Sequence, residues 1–152
     1  MEDSDNQIDD PITEWVTFHL VDEKYAVDVS FVREVLKNTK ISPVPGAPYF
    51  VLGIINLRGN IVTVIDTHKR LSLTPMVETD STRIVVIEMD DQVVGMMVDK
   101  VDEVALLRDS EIEYTPNVGN DKDDYIQGVS QREKDLLILI DLDKMLALDE
   151  YR

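Results

Sequence analysis

Apolar and polar residues alternate along most of this chain, and a period of two is typical of β-strands. The first alternating run is WVTFHL, at residues 15–20, and a turn separates it from KYAVDV, at residues 24–29. Both runs are rich in valine, tyrosine and phenylalanine, which fit the pleated surface of a sheet. The pattern therefore predicts that the folded domain begins with two short strands.

A short helix is predicted next, because Ser30 is a suitable N-cap for the segment FVREVL, at residues 31–36. The segment PVPGAP, at residues 43–48, can form neither a helix interior nor a central strand, since proline lacks a backbone donor. We predict a rigid connector there.

Two strongly apolar runs, FVLGIINL at residues 50–57 and NIVTVID at residues 60–66, predict a hairpin. The turn falls at Arg-Gly-Asn, residues 58–60, with Gly-Asn as its two-residue loop, because glycine readily adopts the positive φ that such loops require. Asp66 is then predicted to cap a short helix, THKRL.

The second half of the chain follows the same plan, with paired apolar runs, a polar loop and a final helix. The predicted segments are RIVVIEM and QVVGMMVD around the turn Asp90-Asp91, then VDEVALL, a loop at 115–124, YIQGVSQ, LLILI and the helix DLDKMLALDEY.

The two halves resemble each other at specific positions, which indicates an internal repeat. The matched pairs are Ala26-Val27 with Gly95-Met96, Val32–Val35 with Val101–Val104, Gly53-Ile54 with Gly128-Val129, and Ile65-Asp66 with Ile140-Asp141. A period near 70 residues is too long for a solenoid repeat. We predict two small β units, at 14–75 and 76–148, each closed into a barrel of about five strands so that few edges stay open. Residues 1–13 are predicted to form a disordered acidic tail.

Charge excludes several classes of function. The net charge is −16, and no cluster of lysine and arginine provides the basic surface that nucleic acid or anionic lipid requires. No apolar run approaches the ~20 residues of a membrane helix, and the N-terminus lacks a signal peptide. The chain has no cysteine, which excludes disulfides and thiolate metal sites. We expect a cytoplasmic protein without direct membrane insertion.

Catalytic and cofactor motifs are also missing from the sequence. The two histidines, His19 and His68, stand outside any serine or metal-ligand pattern. The segment DKDDY, at residues 121–125, fails the calcium-loop template, which needs glycine at its sixth position and glutamate at its twelfth. We therefore expect no catalytic residues, no cofactor and no metal. Surface chemistry remains, with Arg58 at a hairpin tip and Val32 and Val35 as a small apolar ridge.

These segments together resemble the CheW family of bacterial chemotaxis coupling proteins. The resemblance rests on VREV, the pattern P-x-x-P-x-x-x-x-GIINLRG, the V-I-D that follows, KYAVDV, VVGMMVDKVDEV and YIQGVSQREKDLLILIDLDKML, and it covers residues 14–148. The family often has proline where this chain has Thr63. The resemblance implies a mainly β fold of two five-stranded SH3-like barrels.

The resemblance also implies a non-enzymatic adaptor that joins methyl-accepting chemoreceptors to the regulatory domain of the histidine kinase CheA, with CheW–CheW contacts possible in rings. The implied receptor groove, between the two subdomains, contains Val32, Val35, Asn56, Arg58, Thr82 and Val101. Kinase coupling is implied for Glu34 and Gly53.

Two alternatives stay open at this point. One is a CheW-like adaptor that serves a different receptor array, such as one for surface motility. The other is a β domain that binds or converts a small molecule, which a ligand screen would reveal.

Overall fold

The computed structural model describes residues 9–37, 39–115 and 125–147, and these residues are mainly β-strand. The strands are β1 (Ile12–Leu20), β2 (Glu23–Asp28), β3 (Val32–Lys37), β4 (Val51–Leu57), β5 (Asn60–Asp66), β6 (Arg83–Met89), β7 (Gln92–Val98), β8 (Lys100–Arg108), β9 (Glu113–Tyr114), β10 (Ile126–Gln131) and β11 (Leu136–Ile140). Two one-turn helices, α1 (Thr67–Arg70) and α2 (Leu142–Met145), follow β5 and β11, and 3-10 turns lie at Val29–Phe31 and Asp109–Glu111.

The strands form two sheets, with the orders β8-β1-β2-β11-β10-β9 and β3-β6-β7-β5-β4. We call them the first sheet and the second sheet. Apart from the two-residue strand β9, each has five strands, so the predicted mainly β fold of two five-stranded barrel subdomains is confirmed.

The sheets do not follow the predicted division at residues 75 and 76. Strands β1 and β2 come from the first half of the chain but pair with β8 and β11 from the second. The β2–β11 pair is parallel and places Tyr25 beside Ile138. In the second sheet the parallel β5–β7 pair places Ile65 beside Met96. The two halves therefore exchange strands, which is possible because equivalent strands carry equivalent apolar faces.

The internal repeat itself is visible strand by strand. If β1 to β5 are matched with β6, β7, β8, β10 and β11, the two sheet orders become identical, including the parallel pair. The helices match too, since Asp66 accepts a hydrogen bond from the Lys69 amide at 3.1 Å and Asp141 accepts one from the Lys144 amide at 3.3 Å. Both caps agree with the sequence pattern, in which an aspartate precedes each helix.

Three apolar clusters account for the strand burial. One lies within the first sheet, around Trp15, Ala105 and Leu139, and one within the second, around Ile55, Val62 and Val86. The largest cluster joins the two sheets and contains Phe18 and Met96. Strand β1 contributes side chains from both of its faces to these clusters. Its central residues are therefore buried on both faces, although alternating apolar and polar residues usually indicate one solvent-exposed face.

The predicted helix at residues 31–36 is wrong. Those residues form the end of a 3-10 turn and then strand β3, whose burial alternates with a period of two. Asp28, not Ser30, caps the turn by accepting a hydrogen bond from the Ser30 amide at 2.9 Å. Pairing of β3 with β6 overrides the local helix signal, because it satisfies the backbone of a β-branched segment in a sheet.

Two terminal predictions change as well. The expected tail at residues 1–13 does not include residues 11–13, since Ile12 pairs with Arg108 and the Pro11 carbonyl accepts a hydrogen bond from the Asp109 amide at 2.9 Å. The closing helix ends at Met145. Residues 1–8, most of the predicted loop 115–124, and residues 148–152 lie outside the described residues.

Candidate functional site

The β4–β5 turn presents an arginine at its tip. Leu57 pairs with Asn60, so the two-residue loop is Arg58-Gly59 and not Gly59-Asn60 as predicted. Arg58 and Gly59 have φ values of 52° and 88°, and positive φ at both positions is the type I′ geometry that suits the twist of a hairpin. Asn56 braces the turn, because its Oδ1 accepts a hydrogen bond from the Gly59 amide at 2.9 Å.

Arg58 forms an ion pair with Glu34 of strand β3, through Nη2 and Oε2. The arginine side chain is 65% exposed and the glutamate side chain 23% exposed. The residue predicted to contact receptors therefore touches the residue predicted to contact the kinase. Sequence reasoning could not join them, because 24 residues separate them along the chain.

The apolar ridge lies on the edge strand β3. Val32 packs against the cluster between the sheets, as does Val101 of β8, which is its equivalent in the repeat. Val35 is 41% exposed. Glu34 and Val35 are neighbours on β3, so they point to opposite faces of the second sheet, and Glu34 contacts Arg58. Val101 lies at the place on the first sheet that matches Val32.

Thr82 does not belong to this surface. It is completely buried, and its hydroxyl accepts a hydrogen bond from the Thr79 amide at 2.9 Å. The side chain closes the turn that precedes β6, which a sequence match alone could not reveal.

Gly53 is also buried, at a register shift in β4. A Cβ built there would lie 2.2 Å from the Ser42 carbonyl oxygen, so the missing side chain lets the segment around Ser42 pair with Ile54. Gly53 therefore acts through the path of the backbone and not through a side chain.

A shallow depression of about 360 Å³ adjoins the tip of the hairpin. Its lining consists of Arg33, Leu57, Arg58, Asn60, Ile61, Val62, Asp91 and Val93. Ile61, which sequence reasoning missed, is 63% exposed and pairs with the exposed Asn56. The exposure of Ile61 could have been predicted from its pairing with the polar residue Asn56, because directly paired residues point to the same face of a sheet.

The first sheet carries a denser set of charges, which we call the Lys24 network: Lys24, Asp102, Glu103, Asp135, Arg132 and His19. Burial would lower the pKa of Lys24, but hydrogen bonds from its ammonium to Glu103, Asp102 and Asp135 outweigh burial and raise that pKa. Hydrogen bonds from His19 and Lys24 lower the pKa of Asp102. Those from Lys24 and Arg132 lower the pKa of Glu103.

Each of the two histidines lies beside an aspartate, with His19 Nε2 3.1 Å from Asp102. His68 is buried, with Nδ1 2.8 Å from the Thr74 carbonyl and Nε2 2.8 Å from Asp99. In the described part of the chain, no three His, Asp or Glu side chains are grouped to hold a metal. Within that same part, no helix has the length and apolar character needed to cross a bilayer.

Comparisons with known proteins agree with one another. The sequence profile of the CheW-like domain matches residues 14–150. The chain is 38% identical over 132 residues to the chemotaxis protein CheW of Bacillus subtilis, covering 86% of this chain and 85% of that protein. It is 32% identical over 138 residues to the chemotaxis protein CheW of Rhizobium meliloti, covering 90% and 89%. The crystal structure of the scaffolding protein TtCheW from Thermoanaerobacter tengcongensis superposes with a TM-score of 0.84 at 32% identity, covering 91% of this chain and 95% of that one.

Proposed function

Since this chain belongs to the CheW-like family, it is a non-enzymatic chemotaxis adaptor, and we propose that it couples chemoreceptors to the histidine kinase CheA. The resemblance found in the sequence is thereby confirmed at the level of family and adaptor role. An adaptor for a different receptor array is not favoured, because the relatives described above are chemotaxis proteins.

The observation that carries the proposal is the exposed guanidinium of Arg58 at a braced hairpin tip. Its planar fork can donate two hydrogen bonds to a carboxylate or to helix carbonyls of a receptor tip. Val32, Val35 and Val101 would supply the apolar contact that a helical hairpin needs. Asn56 acts indirectly, by holding the turn. Thr82 is left out of the contact, since it is buried.

Glu34 and the backbone around Gly53 are proposed to contact the regulatory domain of CheA. Because Glu34 is the ion-pair partner of Arg58, a receptor group that captured Arg58 would release a carboxylate toward the kinase. The proposed mechanism is therefore an exchange of ion-pair partners between two neighbouring surfaces.

We propose a cytoplasmic location at membrane-associated receptor arrays, with contacts between copies of the adaptor in rings. The charge of −16 disfavours binding to anionic lipid directly, so recruitment would depend on the protein partners.

A binding assay with a receptor signalling fragment and CheA tests the proposal. Arg58→Ala should weaken receptor binding about tenfold, since a truncated interface arginine typically costs more than 1 kcal/mol. CheA binding should persist. Arg132→Ala is the matched control, because Arg132 pairs with Glu103 at the equivalent hairpin of the first sheet. Equal losses of receptor affinity in both variants, or a folded wild type that binds neither partner, would overturn the proposal.

A further inference from the structure

A buried arginine lies where the two sheets meet. Arg70 is 3% exposed and ends helix α1, which follows β5 of the second sheet. Removing a charge from water is costly, so such a residue persists only where its surroundings compensate.

Arg70 contacts two aromatic rings and donates hydrogen bonds to two backbone carbonyls. Its guanidinium carbon lies 4.3 Å from the centre of the Phe50 ring and 4.8 Å from the centre of the Tyr125 ring. Its Nε donates to the Met145 carbonyl at 2.9 Å and its Nη2 donates to the Lys144 carbonyl at 3.3 Å. Those carbonyls belong to the last turn of α2, where a cation is favoured.

The partners of Arg70 come from both halves of the repeat. Phe50 precedes β4 and Tyr125 precedes β10, and their carbonyls accept the amides of the two capping residues, Asp66 at 2.7 Å and Asp141 at 2.9 Å. The two rings are thus equivalent, one for each sheet. In the repeat, Met145 of α2 is equivalent to Arg70 of α1. The Arg70 side chain crosses from α1 to the Met145 carbonyl and so connects the two helices.

This crossing constrains how the sheets can move. An apolar side chain could fill the same space while sliding, because dispersion contacts have no preferred direction. A planar guanidinium that lies over two rings and donates hydrogen bonds to two carbonyls has a fixed orientation. A shift of one sheet against the other would break the hydrogen bonds or separate a ring.

We propose that Arg70 is a positioning residue that fixes the two sheets relative to each other and so sets the spacing of Val32 and Val101. Arg70 acts without touching a receptor. The effect on receptor binding rests on the proposed function above, whereas the effect on sheet placement does not.

The test measures distances between spin labels, which the absence of native cysteine makes straightforward. Labels at Glu14→Cys in β1 and Lys37→Cys in β3 report the spacing between the sheets. Labels at Glu14→Cys and Glu113→Cys, both in the first sheet, serve as the control. Arg70→Met, which places in α1 the residue that α2 carries, removes the fork and keeps an apolar side chain.

In Arg70→Met we expect the distance distribution between the sheets to widen or shift while that within the first sheet stays the same. Receptor affinity should fall about tenfold, in the range found for residues that couple sites indirectly. Arg70→Lys keeps the charge but not the fork, so it should not restore the narrow distribution. This outcome separates orientation from charge.

Unchanged distances between the sheets in a folded Arg70→Met or Arg70→Lys would overturn the inference. If Arg70→Met fails to fold, Arg70→Lys and Tyr125→Leu, which removes one ring, decide the same question. If the wild type binds no receptor fragment, the proposed function fails. The distances between the labels on the two sheets still test the role of Arg70 in that case.

Discussion

Two equivalent hairpins in this molecule carry an arginine that faces an equivalent glutamate. In the first sheet, Arg132 lies between Glu103, at 2.9 Å, and Asp135, at 3.1 Å, and its side chain is 29% exposed. In the second sheet, Arg58 meets Glu34 and its side chain is 65% exposed. The two hairpins occupy equivalent places in their sheets, but the arginine side chains differ in the fraction that is exposed to solvent.

The difference comes from the neighbouring positions. Lys24 of the first sheet binds Glu103 and Asp135 and completes a closed network, whereas its equivalent in the second sheet is Val93, which has no charge. Without a second cation, Glu34 has one arginine as its ion-pair partner in the described part of the chain. The repeat therefore duplicates the fold, and a few differences in sequence leave the arginine of one hairpin more exposed than that of the other.

The largest expected loss of stability tests whether the backbones of the two hairpins are equivalent. Gly53 and Gly128 hold matching places, and a Cβ would lie 2.2 Å from the Ser42 oxygen in one and 2.7 Å from the Glu113 oxygen in the other. We expect Gly53→Ala to lower the free energy of unfolding by about 3 kcal/mol and Gly128→Ala by about 2 kcal/mol. Urea unfolding followed by circular dichroism measures both.

Gly59→Ala is the control, since nothing lies within 4 Å of a Cβ there and the cost comes from a φ of 88°. That cost should be about 1 kcal/mol. A larger loss in Gly128→Ala than in Gly53→Ala would show that the backbone approach is not the cause.

Local alternation explains why most strands could be predicted from the sequence. The paired segments β4–β5 and β6–β7 each contain an apolar run on either side of a turn, and such a signal needs no knowledge of distant residues. Strand β3 was predicted as a helix because Ser30 is a suitable N-cap residue, and a local capping signal does not reveal a distant strand partner. Its true partner is β6, far along the chain.

The parts that the sequence could not predict depend on contacts between distant segments. The parallel pairing of Tyr25 with Ile138 leaves no mark in either local pattern, so the exchange of strands was missed. Arg58 and Asn56 lie at the β4–β5 turn, which the local sequence pattern predicts. Thr82 is completely buried, which the local pattern around it does not predict.

A second experiment sharpens the comparison at the matching turns β1–β2 and β6–β7. Val21 has a φ of 60° and its equivalent Asp90 a φ of 50°. Positive φ is strained for a β-branched residue and better tolerated by aspartate or asparagine. Val21→Asn should therefore raise the free energy of unfolding by about 0.5–1 kcal/mol, measured as a higher urea midpoint.

The mirror variant Asp90→Val should lower stability by a similar amount. If Val21→Asn is neutral while Asp90→Val is destabilising, strain at the first turn is relieved by its surroundings, such as the hydrogen bond from the Val21 amide to Asp99 at 2.8 Å.

The smallest expected change in stability comes from Lys24→Val. This variant removes the charge difference between the sheets, because it gives the first sheet a valine where the second has Val93. The folded pKa values of Asp102 and Glu103 lie below their ordinary values of 3.8 and 4.5. Their stabilisation is therefore complete above those values and is lost as the pH falls through the lowered ones. Because the carboxylates are partly exposed and screened, Lys24→Val should cost less than about 1 kcal/mol at pH 7.

Urea midpoints between pH 7 and pH 3 measure this effect. The wild type should lose more stability on acidification than Lys24→Val, so the difference between the two curves should shrink as the pH falls below the ordinary pKa values of the two carboxylates. Parallel curves would mean that Lys24 does not stabilise the two carboxylates.

The exchange of strands between the halves has a consequence during synthesis on the ribosome. Strand β2 is made early, but its parallel neighbour β11 is made near the end, since Tyr25 must meet Ile138. An emerging chain with only the first half would expose β2 and β5 as open edges, since their partners β11 and β7 would not yet exist. The second sheet can be completed once β7 (Gln92–Val98) has emerged, whereas the first must wait for β11 (Leu136–Ile140), so β2 keeps an open edge for longer than β5 does during synthesis.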